Sequence, residues 1–234
     1  MNNPIKNLTR NEWILWLGSL FIITISNIIS GDFNLLTLIT TWIGITALIF
    51  AAKGNVWAQI LIIVFSILYG IISWQFRYWG EMITYLGMTL PMAIWSPITW
   101  LKNPASTGNE VAIQKLTKKH IAGIILVSII VTVVFYYILR VLDTPNIVFS
   151  TISVTTSFIA ASLTMLRSSY YALGYAANDI VLIILWGLAS IDNPVYIPVL
   201  INFVIFFFND MYGFISWKKR EASQNSPQAS LSHI

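Results

Sequence analysis

Long uninterrupted runs of apolar residues recur along almost the whole chain. A helix needs about 20 predominantly apolar residues to cross roughly 30 Å of hydrocarbon. The runs are continuous rather than alternating, and a lipid environment requires backbone groups to bond within their own segment, so helices are favoured over strands. The pattern predicts eight transmembrane helices, at 12–30, 35–52, 56–76, 82–101, 120–141, 147–166, 170–190 and 195–217.

Charged residues are scarce and lie mostly between these runs. Only 9% of the 234 residues are charged and 57% are hydrophobic, whereas soluble domains carry roughly 25% charged residues. This composition excludes soluble globular, disordered and nucleic-acid-binding proteins. The chain has no cysteine, which also excludes disulfides and thiolate metal sites.

The basic residues predict the orientation in the membrane, because Lys and Arg mark cytoplasmic loops. Eleven of the thirteen precede the first run, occupy alternate connections after it, or follow the last run. The opposite side has Arg77 and Arg140, with acidic Asp32, Glu81, Asp143 and Asp192. We therefore expect both termini in the cytoplasm. Of the acidic residues, we expect only Asp179 and Asp210 to lie within the transmembrane helices.

A weak internal repeat appears when the chain is shifted by 117 residues. Tyr69-Gly70 then aligns with Trp186-Gly187, and Ile98-Thr99-Trp100 with Ile215-Ser216-Trp217. This register pairs the second to fourth predicted helices with the sixth to eighth, and one helix between the triplets makes the repeats parallel. Another match, of 69–74 with 212–217, pairs helices of opposite direction, so we prefer the first.

The predicted fold is therefore an all-α membrane protein with an extra N-terminal helix and a 3+1+3 core of two parallel triple-helix repeats. The Ser/Gln/Asn-rich end of the chain predicts a disordered tail. The expected divisions are an N-terminal helix in 1–34, a first triplet in 35–102, a cytoplasmic loop and linker helix in 103–145, a second triplet in 146–220 and a cytoplasmic tail in 221–234.

Sequence motifs for catalysis are missing. The chain has no phosphate-binding glycine loop, no zinc-binding helix and no nucleophile elbow, and its only histidines are His120 and His233. We predict no cofactor and no metal site. An intramembrane enzyme stays open as an alternative only through Asp179 and Asp210.

The candidate binding residues lie on the last two predicted helices. Ionisable groups at membrane depth are costly and are usually tied to a site, and Asp179 and Asp210 each follow an asparagine. Helical spacing places amides and aromatic rings on the faces beside them. The candidates are Tyr175, Asn178, Asp179 and Trp186 on the seventh helix, and Asn202, Asn209, Asp210 and Tyr212 on the eighth.

Amides pair with hydroxyls and carboxamides, and aromatic faces stack on flat or cationic rings. These residues therefore predict a site for a small polar ligand with a planar ring. Hydrogen bonding between helices is the alternative explanation for the asparagines. Tryptophans near span ends, including Trp100 and Trp217, are expected at the membrane interface.

Residues 35–218 resemble the PnuC-type nicotinamide riboside transporters of bacteria. The resemblance rests on the predicted 3+1+3 arrangement with its Lys-rich linker, on Leu68-Tyr69-Gly70-Ile71-Ile72, on Asn178, and on the segment 209–217. It implies a SWEET-like architecture, often trimeric, in the bacterial inner membrane. It also implies uptake of nicotinamide riboside by facilitated diffusion, followed by trapping through intracellular phosphorylation.

The resemblance further implies ligand contacts from Asn178, Trp186, Asn209 and Tyr212, and from Trp95 as the repeat mate of Tyr212. The expected partners are the small-molecule substrate, membrane lipid and two further copies of the chain. Related carriers of thiamine or riboflavin are the first alternative. An intramembrane enzyme and a non-transporting structural subunit are the others.

Overall fold

The computed structural model describes residues 4–29, 33–105 and 110–226, and these form helices and their connections. Seven of the helices are long and apolar enough to cross a membrane, which confirms a multi-pass all-helical membrane protein. The α-helices are α1 Arg10–Ile29, α2 Leu35–Ala52, α3 Trp57–Gln75, α4 Trp79–Ile83, α5 Leu90–Leu101, α6 Lys118–Val141, α7 Ile147–Met165, α8 Tyr171–Asp192 and α9 Ile197–Gln224.

The predicted tail begins too early. The last helix continues through residues 221–224, so the expectation of disorder from residue 221 is wrong there. Glu221 accepts a hydrogen bond from Ser169 at 2.9 Å and pairs with Lys218 at 2.9 Å, which holds this extra turn against the start of α8. Positions 227–234 lie outside the described residues.

The fourth predicted span is not one regular helix. A π-helical segment, Thr84–Thr89, separates α4 from α5, and the N–H of Leu90 bonds to the carbonyl of Tyr85. The physical reason is Pro91, which has no N–H to offer the carbonyl four residues earlier and whose ring crowds that carbonyl. The widened turn carries the side chains of Tyr85 and Thr89 into the interior, and such turns often lie at functional sites.

Glu81 of α4 is a buried acid. It was expected among the acids of the external side, but its side chain is fully buried. Its Oε1 accepts a 2.7 Å hydrogen bond from Ser153 of α7, while Oε2 has no partner among the described residues. Glu12 is buried as well, so the described residues contain buried acids besides Asp179 and Asp210.

The helices pack in two groups, one of α2, α3 and α5 and one of α7, α8 and α9. Contacts of α2 with α9 and of α5 with α7 join the groups. Within the second group, a Cβ on Gly174 would lie only 3.1 Å from the Cα of Ala160, so glycine permits the close crossing of α8 over α7. In contrast, α6 packs on α7 and leaves most of its apolar surface exposed.

The connection between α5 and α6 runs across one end of the molecule and ties the two groups together. The N–H of Val111 donates to the carbonyl of Gly54 at 3.1 Å, and the N–H of Gln114 donates to the carbonyl of Arg167 at 3.1 Å. Arg220 of α9 forms an ion pair with Glu110 of the same connection. The turns after α2 and α7 and the end of α9 therefore meet at the same end of the protein.

The extra N-terminal helix is fastened to the core by a buried carboxylate. Glu12 accepts hydrogen bonds from the N–H and Oγ1 of Thr9, at 2.7 and 2.9 Å. It also pairs with Lys53 Nζ at 2.8 Å and accepts a bond from the Tyr212 hydroxyl at 3.0 Å. Two turns further along α1, the Ser19 hydroxyl accepts a 3.0 Å hydrogen bond from the Asn209 amide.

We expect Glu12→Ala to lower the free energy of unfolding by about 3 kcal/mol, because removing one member of a buried ion pair strands the other. Thermal unfolding of the purified protein in detergent measures the change. Arg10→Ala is the matched control, since Arg10 is exposed on the same helical turn. Equal unfolding temperatures for the two variants would contradict the proposed anchoring role of Glu12.

Candidate functional site

A cavity lies between the two helical groups, about halfway along α8. It measures about 40 Å³, enough for a water molecule or two but far below the 300–1,000 Å³ of typical small-molecule sites. A larger ligand therefore requires the groups to separate. The cavity is lined by Leu48, Ile62, Phe65, Ser66, Tyr85, Thr89, Tyr175, Asn178, Asp179, Phe206 and Asp210.

Two carboxyl groups meet in this cavity. Asp179 of α8 and Asp210 of α9 are each 3% exposed, and their side chains lie within hydrogen-bonding range of each other. The Oδ2 atom of Asp179 is buried and has no hydrogen-bond partner among the described residues. Among the residues that line the cavity, none is Lys, Arg or His, so the site favours positive charge.

The Asn178 amide is held by α7 with its oxygen already occupied. Oδ1 accepts bonds from the Thr156 hydroxyl at 2.7 Å and the Ser157 hydroxyl at 3.0 Å. The two hydroxyls hold the amide in place from α7. The amide N–H₂ group is left to donate to a carbonyl or hydroxyl of a ligand.

Thr156→Val should weaken ligand binding about tenfold, because the valine has nearly the same shape but cannot hold the Asn178 amide in its orientation. Thr151→Val on the same helix is the matched control, since among the described residues the Thr151 hydroxyl bonds only to the carbonyl of Ile147. Titration calorimetry with the ligand that the sequence resemblance implies measures the affinities of both variants. Equal affinities for the two variants would contradict this role of Thr156.

Buried hydroxyls and aromatic rings complete the cavity wall. Ser66 Oγ and Thr89 Oγ1 are buried without a partner among the described residues, and such unpaired groups mark a place for a polar ligand or water. Phe65 stacks edge-on against Tyr85 with ring centroids 5.9 Å apart, and lies 5.6 Å from the ring of Phe206. These faces suit a flat cationic ring.

Four of the predicted residues line this cavity together: Tyr175, Asn178, Asp179 and Asp210. Two others lie beside it. Asn202 borders a smaller neighbouring cavity with Phe65 and Tyr69, and its Oδ1 has no partner among the described residues. Trp186 is fully buried and donates from Nε1 to the hydroxyl of Tyr69 at 3.1 Å.

The remaining three predicted residues face elsewhere. Asn209 and Tyr212 bond to Ser19 and Glu12 of α1. Trp95 is 56% exposed on α5, away from the cavity. The structure also corrects the interfacial placement of Trp100 and Trp217, which are 1% and 0% exposed.

Several residues of the site were missed by sequence reasoning. The sequence did not indicate Thr156 and Ser157 as site residues, because hydroxyl side chains are frequent in membrane helices and usually bond to the backbone of their own helix. Tyr85 and Thr89 enter the cavity through the π-helical turn, which Pro91 alone hinted at. Within the described residues, no group of three His, Cys, Asp or Glu side chains forms a metal site.

Comparison with known proteins identifies the family. The model of the nicotinamide mononucleotide transporter family matches residues 34–219. The nicotinamide riboside transporter PnuC of Neisseria mucosa is 28% identical over 182 residues, which are 75% of this chain and 69% of the relative. The transporter of the same name from Haemophilus influenzae is 23% identical over 208 residues, 88% of this chain and 89% of the relative.

A solved structure shows the same fold. The crystal structure of the vitamin B3 transporter PnuC superposes with a TM-score of 0.82, covers 94% of this chain and 95% of its own, and shares 24% sequence identity. The matching family is one of transporters rather than enzymes, as the sequence predicted. Because the family model covers most of the chain, this protein belongs to the nicotinamide mononucleotide transporter family.

Proposed function

We propose that this protein takes up nicotinamide riboside by facilitated diffusion through the bacterial cytoplasmic membrane. Two relatives bear the name of nicotinamide riboside transporter. The observation that carries the proposal is the cavity that joins the Asp179–Asp210 pair, the Asn178 amide and aromatic walls. The pyridinium ring of the ligand matches the acidic pair, and its carboxamide and ribose hydroxyls match the amide and the unpaired hydroxyls of Ser66 and Thr89.

The same cavity disfavours the phosphorylated molecule for which the family is named. Nicotinamide mononucleotide carries a phosphate group with up to two negative charges, and phosphate sites in proteins supply Arg, Lys or helix N-termini. This cavity instead supplies two carboxyl groups and no basic side chain among the residues that line it. We therefore assign the unphosphorylated nucleoside as the substrate.

Pseudo-symmetric contacts support the two-repeat architecture. Trp100 and Trp217, which are 117 positions apart, stack with ring centroids 5.5 Å apart. Trp100 Nε1 donates to the carbonyl of Thr164 near the end of α7, and Trp217 Nε1 donates to the carbonyl of Ala51 near the end of α2. Each last helix thus bonds to the first helix of the other triplet.

Two such contacts join the triplets on opposite sides of the cavity along α8 and α9. On one side Tyr69 and Trp186, also 117 positions apart, join the triplets by a 3.1 Å hydrogen bond. On the other side the Trp100–Trp217 pair joins them. Alternating access would proceed by opening one of these contacts at a time, with the ligand held between parallel repeats. Opening at Tyr69 would also bring Trp186 and Asn202 into reach of the ligand.

The topology, assembly and trapping step belong to the same proposal. The basic residues Lys53, Arg167 and Arg220 gather at the end where the α5–α6 connection crosses, which supports a cytoplasmic position for that end and for both termini. The exposed apolar face of α6 is available to lipid or to two further copies of the chain. Phosphorylation by a cytoplasmic kinase would prevent the substrate from leaving.

Parallel calorimetric titrations of the purified chain with nicotinamide riboside, nicotinamide mononucleotide, thiamine and riboflavin test the substrate assignment. We expect saturable binding of nicotinamide riboside, with the mononucleotide at least 100-fold weaker because its phosphate meets the acidic pair. Tighter binding of thiamine or riboflavin would reassign the substrate. Binding of none of the four would overturn the proposal.

A further inference from the structure

We infer that a cationic ligand exchanges for a proton at the Asp179–Asp210 pair. The pair is uncharged in the ligand-free protein and gives up one proton when the cation binds. This inference rests on the proposed function and deepens it, because it states how the site handles the positive charge of its substrate.

The geometry of the pair requires bound protons. Both carboxyl groups line the same small cavity, whose wall contains no basic side chain, and two adjacent carboxyl groups in such a place cannot both ionise, so at least one holds a proton. Each side chain is only 3% exposed. An ion buried without a counter-ion takes up a proton instead of remaining charged.

The surrounding helices provide no positive charge to replace these protons. Helices α2, α5 and α7 contain no ionisable side chain. The ionisable groups that interact with the pair are weak acids, namely Tyr85 of the π-helical segment and Tyr171 and Tyr175 of α8. Beyond Tyr85 lie two further weak acids, Tyr69 of α3 and Glu81 of α4.

Cations of the neighbouring elements are distant or already paired. The basic residues of α9 begin at Lys218, eight residues and about 12 Å of helix beyond Asp210, and Arg220 is paired with Glu110. On the α1 side, Lys53 pairs with Glu12, and Arg10 is exposed at the start of the helix.

The charge balance then fixes the exchange. Before binding, two protonated carboxyl groups make the cavity neutral. When the pyridinium cation enters, one O–H bond breaks, its proton passes to water, and the remaining proton is shared between the two carboxyl groups. The single negative charge of the pair matches the single positive charge of the ring, so the cavity is neutral in both states.

Calorimetric titration of the wild-type chain with nicotinamide riboside at pH 7, in phosphate and in Tris buffer, measures the proton directly. The two buffers take up protons with very different heats, so the difference in observed heat gives the number of protons released. We expect one proton for each cation bound. The uncharged dihydro form of the same nucleoside should release none.

Equal heats in the two buffers would overturn the inference while leaving the proposed function intact. Absence of any binding would overturn the proposed function itself. The double variant Asp179→Asn and Asp210→Asn locates the proton, with Asp192→Asn, an exposed acid at the end of α8, as matched control. Proton release by the double variant would contradict the assignment to this pair, and no release, with weak binding or none, agrees with it.

Discussion

Converting both buried acids to amides, Asp179→Asn together with Asp210→Asn, should weaken nicotinamide riboside binding about 100-fold. The amides keep the shape of the carboxyl groups but cannot match the charge of the pyridinium ring. A charge pair about 4 Å apart at a protein site with moderate screening contributes about 4 kcal/mol, of which about 2.7 kcal/mol would account for the 100-fold loss. Titration calorimetry on the purified chain gives the dissociation constants.

Two comparisons separate charge from folding in this experiment. Asp192→Asn removes an exposed carboxylate from the same helix and should leave the affinity within about twofold. The uncharged dihydro ligand should lose less than tenfold in affinity for the double variant, because it has no ring charge to match. Unchanged affinity of the double variant for nicotinamide riboside would contradict the role of the acidic pair.

Replacing Trp186 by alanine should lower the free energy of unfolding by about 3–5 kcal/mol. The side chain is fully buried, packs against Tyr78 with ring centroids 4.5 Å apart, and bonds to Tyr69 of the other helical group. Its removal leaves a cavity and breaks a contact between the two helical groups. Unfolding by denaturant in detergent measures the loss.

Trp95→Ala is the matched control, because Trp95 is 56% exposed on the outer surface of α5. That variant should change the stability by less than about 1 kcal/mol and leave ligand affinity unchanged. Trp186→Phe keeps most of the packing and should cost about 1 kcal/mol for the lost hydrogen bond. Equal losses in the free energy of unfolding for Trp186→Ala and Trp95→Ala would contradict the contact that Trp186 makes between the two helical groups.

The membrane helices were predictable because bilayer thickness dictates their length. Six of the seven continuous helices begin and end within two residues of the apolar runs, and α2 matches its run completely, whereas α9 extends seven residues beyond its run. The fourth span differs because Pro91 acts on local backbone bonding, which hydropathy does not report. Hydropathy also does not report that Glu81, an acid next to the predicted span, is buried in the protein.

The candidate site was predicted in part. Helical periodicity identifies which side chains share a face, and the neighbours on α8 and α9, Asp179 and Asp210, do meet in one cavity. Periodicity does not reveal which helix covers a face. Asn209 therefore carries the expected amide but presents it to α1, and Trp186 carries the expected ring but packs it against Tyr69.

Counterflow into proteoliposomes tests the central claim most directly. Vesicles that contain the purified chain are loaded with unlabelled nicotinamide riboside and diluted into a trace of the labelled compound. A passive carrier with its site between the two triplets predicts transient accumulation of label, abolished when the interior is loaded with nicotinamide mononucleotide instead. No accumulation above protein-free vesicles, or equal accumulation with either internal load, would contradict a carrier for the unphosphorylated nucleoside.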